Sequence, residues 1–331
     1  MAHEISNENF FSVRTPAWHR IGNVLDNPPT IQEAIEFAGL NYEVEMVPLV
    51  TMDQQQKVDR YATRRKDNGL ILGTVGGRYQ IIQNAKSFEV FQPLLDSGSI
   101  TMKTGGCLRD GARVFLLAGI PSIKADVAGD QIKTYFLFAN GHDGTMALNI
   151  GFTPVRVVCA NTLAAAQGSQ ASKLIKLRHT SGSDKALDII RDTIDLQNQS
   201  FQMTVEQYNF LASRTFKREL LPEFVIKVMG AKDDTSNQFQ NNVVKIGELL
   251  DSQTNMTNAS RGTWWGAYNA VNEYLQHDYG RSDEARLSSM WFGQNAIRNE
   301  NSLALAVGFA NAAPTSGIKT ATVIDFGKFK K

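Results

Sequence analysis

The sequence predicts an α+β fold, in which an antiparallel, hairpin-rich sheet packs on helices and a mainly helical C-terminal region follows. Three observations support this prediction. Runs rich in β-branched and aromatic residues, separated by turn residues, recur through residues 42–159. Tyr135–Ala139 and Met146–Ile150 favour strands, and Asp143-Gly144 between them favours a tight turn. From residue 182 onward the apolar residues recur at helical spacing instead.

An irregular arm, one helix and one strand are predicted first. Residues 1–29 are expected to form an N-terminal arm. Thr30 and Glu33 match a capping box, which predicts the start of a short helix. The alternation after Tyr42 predicts a half-buried strand, and Pro48 within it indicates a sheet edge because proline cannot donate a ladder hydrogen bond.

The next segment predicts strands around one helix. Lys57–Gln83 indicates a meander of three strands joined by glycine turns, the last strand covering Arg78–Ile82. Apolar spacing over Ala85–Leu95 predicts a helix. Ile100–Thr104 and Ala112–Ala118 then predict a hairpin with a basic tip.

The core is predicted to end in two further strands. Val155–Cys159 is β-branched, Asn161 is suited to capping a helix after it, and Lys173–His179 alternates basic and apolar residues like a strand with one cationic face. We therefore divide the chain into the arm, an α+β core domain over residues 30–181 and a helical C-terminal region over 182–331.

Four signals define helices in the C-terminal region. An apolar stripe from Leu187 to Phe201 predicts the first helix. Pro222 suits the first turn of a second helix that ends near Gly230. Ser236–Leu250 and a stripe from Trp264 to His277 predict two more.

The composition is that of a soluble globular protein, with 42% hydrophobic and 20% charged residues among 331. No window is apolar for long enough to span a membrane, and the polar start predicts no signal peptide. Two cysteines are too few for a disulfide scaffold, so we expect a cytoplasmic, reducing compartment and no membrane partner.

The net charge of +1 hides a separation of charge along the chain. Residues 1–59 hold 3 Lys and Arg against 9 Asp and Glu, whereas residues 60–181 hold 15 against 7. The basic block favours a surface for a polyanion, partly neutralised by the acidic N-terminal segment. A solvated surface of mixed charge is the alternative interpretation, because the block contains no long Lys/Arg run.

Motifs for catalysis and metal binding are missing from the sequence. It contains no Walker A loop, no G-x-S-x-G elbow and no H-E-x-x-H. The five histidines and two cysteines are scattered, so we predict no metal site, no cofactor and no catalytic residue. One enzymatic alternative is a nucleic-acid enzyme that uses His142 and Asp143, which requires both side chains to converge in one pocket with further acidic groups.

The sequence favours binding to single-stranded nucleic acid, which needs cations along the backbone and rings on which bases stack. The candidate binding residues are Arg64, Arg65, Lys66, Arg78, Lys103, Arg109, Arg113, Arg156, Lys173, Lys176 and Arg178. The candidate stacking rings are Tyr61, Tyr79 and Phe152. Arg156 is expected in a largely buried strand, where a cation needs a partner, a ligand or a route to solvent.

Three tryptophans are candidates for an interface. Trp264 and Trp265 are neighbours on a predicted helix, about 100° apart around its axis, so both cannot face the same way. The second ring is expected to meet another helix or a subunit partner. Trp291 lies in a second aromatic stretch and is assigned to the same candidate interface.

Several motifs, in order along nearly the whole chain, resemble one known family. They are Trp18-His19, Leu72-Gly73-x-Val75, Gly111-x-Arg113-Val114-Phe115, His142-Asp143-Gly144, Thr153-Pro154-Val155-Arg156, Asn161-Thr162-Leu163, Thr263-x-Trp265-Gly266 and Met290-Trp291-Phe292-Gly293. The family is that of phage- and plasmid-encoded proteins with domain of unknown function 932. The resemblance implies a mobile-element setting and no established reaction.

A second resemblance exists at the level of fold alone. A hairpin-rich sheet with basic strands, packed on helices, looks like the single-strand annealing proteins of phage recombination. It implies a ring- or filament-forming homo-oligomer that binds DNA along a positive groove. We therefore expect a sequence-nonspecific protein that binds single-stranded DNA, or RNA, in recombination or replication. The alternative is a protein-interaction module, such as a host-defence antagonist or scaffolding factor, that uses the tryptophan surfaces.

Overall fold

The computed structural model describes residues 9–14, 22–156, 161–162, 175–179, 201–231, 235–282, 285–286, 289–290, 293–317 and 323–326. The strands are β1 (Phe10–Val13), β2 (Asn23–Leu25), β3 (Val44–Val50), β4 (Lys57–Arg65), β5 (Ile71–Val75), β6 (Thr101–Leu108), β7 (Arg113–Val127), β8 (Asp130–Gly141), β9 (Leu148–Arg156), β10 (Asn161–Thr162), β11 (Ile175–Leu177) and β12 (Val323–Phe326). The helices are α1 (Ile31–Phe37), α2 (Asn84–Phe88), α3 (Gln92–Asp96), α4 (201–212), α5 (Leu221–Met229), α6 (Asn237–Leu250), α7 (Trp264–Glu273) and α8 (Gln294–Ala310). The predicted α+β class, with a helical C-terminal region, is confirmed.

The larger sheet, here called the main sheet, has the strand order β10-β9-β8-β7-β6-β1-β2. Every neighbouring pair in it is antiparallel except β1 and β2. In addition, β11 pairs with β9, and β12 pairs with β7. Strands from the predicted arm and from the C-terminal region thus join this sheet. The division into arm, core and helical region stays a prediction.

The smaller sheet has the order β3-β4-β5, and Pro48 lies on its edge strand as predicted. The Gln83 amide donates to the Val44 carbonyl at 2.7 Å and accepts from the Val44 N–H at 3.0 Å. One side chain therefore fills the place of a neighbouring strand at this edge.

The predicted third strand of the meander, Arg78–Ile82, is wrong, because this segment has no regular secondary structure. Its backbone groups are bonded in other ways. The Gln80 N–H donates to the His179 carbonyl at 3.0 Å, and the Asn140 side-chain amide donates to the Ile82 carbonyl at 3.2 Å. A strand ladder is therefore unnecessary for burying this segment.

Two apolar clusters lie on opposite faces of the main sheet, as strand alternation requires. The large one contains Phe88 and Phe91, whose rings meet Phe138 of β8 edge-on, together with the helices of the C-terminal region. The small one, on the other face, contains Phe115 and Leu117 of β7. One face of the sheet therefore supports the helices, and the other carries the small cluster, whose members are also buried.

A buried carboxylate joins the β7–β8 hairpin to α7. Asp130 accepts hydrogen bonds from the Trp265 indole N–H at 2.8 Å and from the Ser260 hydroxyl at 3.2 Å. Asp130 is 3% exposed, so these bonds replace water that its charge would otherwise require. The end of the longest hairpin is thereby fixed to the helices.

Several helix ends follow the predicted local chemistry. Thr30 and Glu33 form the predicted capping box of α1. Gly230 ends α5 in the left-handed conformation, with φ of 65°, and a π-helical turn follows α7 over Tyr274–Asp278. No helix in the described ranges is both long enough and apolar enough to cross a membrane.

Asn161 does not occupy the predicted position before a helix. It lies in β10 with Thr162, and the two residues pair with Arg156 and Val155 of β9. The helix predicted after it, and most of the helix predicted from Leu187, lie outside the described residues.

Candidate functional site

Three predicted binding residues at the end of β4 are held by carboxylates. Arg64 bonds Glu45, Arg65 bonds Asp67 and Lys66 bonds Glu43, each with an N–O distance of 2.6 Å. We call Arg64, Arg65 and Lys66 the paired cations. Because each charge already has a partner, an anion that binds here must displace a carboxylate.

Further contacts fix Arg65 in place. Its guanidinium carbon lies 3.9 Å from the centroid of the Tyr42 ring, and its Nη1 donates to the Asp110 carbonyl at 2.9 Å. The hydrogen bond from Arg65 lowers the pKa of Asp67, and the bond from Lys66 lowers the pKa of Glu43. These shifts show that both carboxylates are favoured in the charged, paired form.

The cations at and near the turn of the β6–β7 hairpin differ in exposure. Arg113 bonds Asp143 at 3.3 Å and the Thr145 hydroxyl at 3.1 Å, and the side chains of the ion pair are 13% and 10% exposed. Arg109 is exposed in a tight turn with φ of 52°, and Arg78 is exposed after β5. Arg113 is therefore an internal tie, whereas Arg109 and Arg78 are surface cations.

The predicted residues near β9 and β11 are described only in part. Arg156 ends β9, and Lys176 pairs in register with Asn149, but both side chains lie outside the described part. Lys173 lies outside it altogether. Arg178 is exposed directly after β11.

Two of the predicted stacking rings have described surroundings. Tyr79 stacks on the His179 ring with centroids 4.7 Å apart, and its hydroxyl donates to the Gly141 carbonyl at 3.0 Å. Its ring face and its hydroxyl therefore both have partners within the chain. Tyr61 is half-buried on β4, and the side chain of Phe152 lies outside the described residues.

A second group of cations lies on the face of the main sheet that carries the small apolar cluster. It consists of Arg14 after β1, Lys103 of β6 and Lys133 of β8, here called the sheet-face cluster. Lys103 occupies a bulge between Met102 and Thr104. Its Cγ and Cε lie 3.3 Å from the position that a Cβ on Gly119 would take, so its stem crosses β7 over a glycine.

The charges of the sheet-face cluster act on one another. The pKa of Lys103 is lowered, first by burial and then by the positive charges of Arg14 and Lys133. Arg14 donates from Nε to the backbone carbonyl of Asp26 at 3.4 Å, and Lys133 is exposed. Within the described residues, none of the three has a carboxylate within ion-pair distance. The cluster is thus a local excess of positive charge.

Sequence reasoning named Lys103 and missed Arg14 and Lys133. The alternation of Lys133 with Tyr135 along one strand was visible in the sequence and indicates a shared face. Arg14 gave no such signal, because its proximity to Lys103 depends on the pairing of β1 with β6.

His142 and Asp143 face different partners. The His142 Nε2 lies 2.9 Å from the Asn84 Oδ1, and burial lowers the pKa of His142 to about 3. The Asp143 carboxylate instead accepts from Arg113 and Thr145. The two side chains therefore do not form the joint pocket that the enzymatic alternative requires. In the described part of the chain, no group of three His, Cys, Asp or Glu side chains could hold a metal ion.

Trp264 and Trp265 are both wholly buried inside the chain. The Trp264 ring stacks on Phe309 with centroids 5.2 Å apart, and the Trp265 ring lies 4.9 Å from Tyr208. The second indole thus meets other helices, and in this structure neither ring presents a surface to a partner. Trp291 lies outside the described residues.

The comparisons with known proteins concern the family alone. A family model described as Domain of unknown function (DUF932) matches residues 71–291, about two thirds of the chain. No curated protein and no solved structure matches the chain. The matched range contains β5 to β11, α2 to α7, and the Lys103 and Lys133 positions. The chain therefore belongs to the family defined by the domain of unknown function DUF932.

Proposed function

We propose that this protein binds single-stranded nucleic acid without sequence specificity, and that backbone phosphates occupy the sheet-face cluster. The observation that supports the proposal is the group of three neighbouring cations for which the described residues provide no carboxylate partner. Lys103 is partly buried, and burying a cation away from water without a partner is unfavourable. A bound anion offsets this cost because it pairs with the charge. Phosphate oxygens form strong charge-assisted bonds with lysine and arginine.

The layout of the cluster favours an extended anion. Arg14 follows β1 and Lys133 lies on β8, and three steps of strand pairing separate these strands. At about 4.8 Å per step, the backbones are roughly 14 Å apart, which exceeds the width of a single phosphate group. A polyanion that runs across the strands can contact all three cations in succession.

The resemblance to single-strand annealing proteins supplies the finer part of the proposal. In it, the protein acts as a homo-oligomer on single-stranded DNA, during recombination or replication of a phage or plasmid, in the cytoplasm of a bacterial host. RNA is a second substrate of the same backbone chemistry. This part rests on analogy of fold and is tested by an annealing assay with complementary oligonucleotides.

The binding proposal is tested by fluorescence anisotropy of a labelled single-stranded DNA at several salt concentrations. The test variant is Lys103→Gln/Lys133→Gln, and the control is Arg64→Gln/Lys66→Gln, which changes the net charge equally but removes only paired cations. We expect the test variant to lose at least about tenfold in affinity and about 1.4 in the slope of log affinity against log salt. The control should change affinity less than about twofold.

Two outcomes would contradict the proposal. Flat anisotropy of the unchanged protein at every salt concentration would exclude nucleic acid as the ligand. Equal losses in the two variants would show that net charge, and not the sheet-face cluster, carries the binding. An acidic protein segment is the competing occupant of the same cations, and polyglutamate that competes as well as oligonucleotide at equal charge would favour it.

A further inference from the structure

Tyr135 lies beside the sheet-face cluster, on the same face of the main sheet. It is two residues from Lys133 along β8, and residues two apart on a strand share a face about 6.7 Å apart. In the sheet register it lies opposite Gly119 of β7 and Thr153 of β9. Gly119 is the residue over which the Lys103 stem passes, so Tyr135 has a lysine on two sides.

The ring of Tyr135 is half-buried at the edge of the small apolar cluster. The cluster packs against one part of the side chain, and another part is exposed to solvent. Burial also raises the pKa of its phenol. The side chain is therefore an anchored, neutral aromatic surface next to excess positive charge.

The contacts that the structure describes for Tyr135 differ from those of other tyrosines. Tyr79 stacks on His179, and Tyr42 carries the Arg65 guanidinium and donates to the Gly111 carbonyl at 2.6 Å. In the described part of the chain, Tyr135 stacks on no other ring and its hydroxyl forms no hydrogen bond. Among the described residues, no such contact covers the part of the Tyr135 side chain that is exposed.

We infer that Tyr135 is the ring on which a base of the bound strand stacks, and that it gives the site its preference for single strands. This inference rests on the proposed function. A base on Tyr135 places its phosphate near Lys103 and Lys133. In a duplex the bases are already stacked on one another. The phosphates of a duplex can therefore contact the lysines, but none of its bases is free to stack on the Tyr135 ring.

The test compares single-stranded and duplex DNA of equal length, with a 2-aminopurine base as a fluorescent reporter of stacking. The variants are Tyr135→Leu, which keeps apolar packing, and Tyr135→Phe, which keeps the ring. We expect Tyr135→Leu to lose roughly fivefold to a hundredfold in single-strand affinity and to abolish the change in 2-aminopurine emission, with duplex affinity unchanged. Tyr135→Phe should match the unchanged protein on both substrates.

The lysine variant Lys103→Gln/Lys133→Gln separates this inference from the proposed function. If it binds weakly while Tyr135→Leu binds single strands normally, the stacking role is wrong and the phosphate site stands. If the lysine variant binds normally, the proposed function fails first. Equal losses by Tyr135→Leu on both substrates would overturn the stacking role. Tyr135→Thr, which retains strand propensity, provides a second ring-free variant if the leucine variant does not fold.

Discussion

The paired cations and the sheet-face cluster differ in what surrounds their positive charges. Arg64, Arg65 and Lys66 each lie 2.6 Å from a carboxylate oxygen on a neighbouring strand or turn. Lys103 instead lies near Arg14 and Lys133, and their positive charges lower its pKa further than burial alone would. The first group consists of three consecutive residues in the sequence, and the second is the anion site that we propose.

The difference teaches that the number of cations in a segment is a poor guide to where an anion binds. A carboxylate within hydrogen-bonding distance competes with any incoming phosphate and tethers the cation to its own fold. A cation that faces only other cations is stabilised by the ligand itself. The candidate surface is therefore defined by which cations lack a nearby carboxylate, more than by how many cations a segment contains.

The largest effect is expected from breaking the most buried ion pair among the described residues. Asp143→Asn removes the carboxylate that pairs with Arg113, and the two side chains are only 13% (Arg113) and 10% (Asp143) exposed. We expect a loss of about 2–3 kcal/mol in the free energy of unfolding, measured by urea titration. Asp251→Asn, which breaks the exposed pair with Arg218, should cost less than about 0.5 kcal/mol. If the two variants lost similar amounts of unfolding free energy, the contribution of an ion pair to stability would not depend on its burial in this protein.

A second prediction converts the paired cations into free ones. Glu43→Gln/Glu45→Gln removes the partners of Lys66 and Arg64 while it keeps the size of the side chains. We expect the slope of log affinity for single-stranded DNA against log salt to steepen by about 1.4, which is the contribution of two further phosphate contacts. An unchanged slope would mean that this part of the small sheet is too far from the bound strand to contribute.

A third prediction uses the lowered pKa of Lys103. Below that pKa the lysine is charged and binds phosphate, and a bound phosphate raises the pKa again, so binding takes up protons at alkaline pH. Affinity for oligo(dA), whose bases do not ionise at alkaline pH, should therefore begin to fall below the ordinary lysine pKa of about 10.4 as the pH is raised. In Lys133→Gln, the loss of a like charge should move this fall to higher pH. A fall at the same pH in both proteins would contradict the coupling.

The smallest effect concerns the free protein. Lys103→Met removes a partly buried like charge, and we expect a gain of about 0.5 kcal/mol at low salt, after allowance for the exposed part of the side chain. The gain should disappear at high salt, where the repulsion is screened. Lys66→Met should give no gain, because its charge is paired. Unfolding titrations at two salt concentrations measure both variants.

Local signals predicted much of the fold. The capping box at Thr30 and Glu33, and Pro222 with Gly230, act within one or two helical turns, so the sequence contains all the information they need. The strand pairs on either side of Asp143-Gly144 were readable for the same reason. The α+β class follows from the sum of such local patterns.

The misplaced elements depended on distant contacts. Whether Arg78–Ile82 forms a strand is decided by Asn140, which lies 58 positions from its partner Ile82. The partner of Arg64 lies 19 positions away, and that of Arg113 lies 30 away. No local pattern identifies such partners. The basic block could therefore be predicted from the sequence, but which of its cations form ion pairs within the fold could not.

The Gln83 amide at the edge of the small sheet has a consequence for how the protein behaves at high concentration. An open strand edge is a template on which another chain can add a strand, and repeated addition leads to fibrils. Gln83 occupies the N–H and the carbonyl of Val44, and Pro48 further along the same strand has no N–H to offer. The Gln83 amide and Pro48 together leave an added chain fewer backbone groups to bond along this edge. This arrangement protects the folded protein from edge-to-edge aggregation.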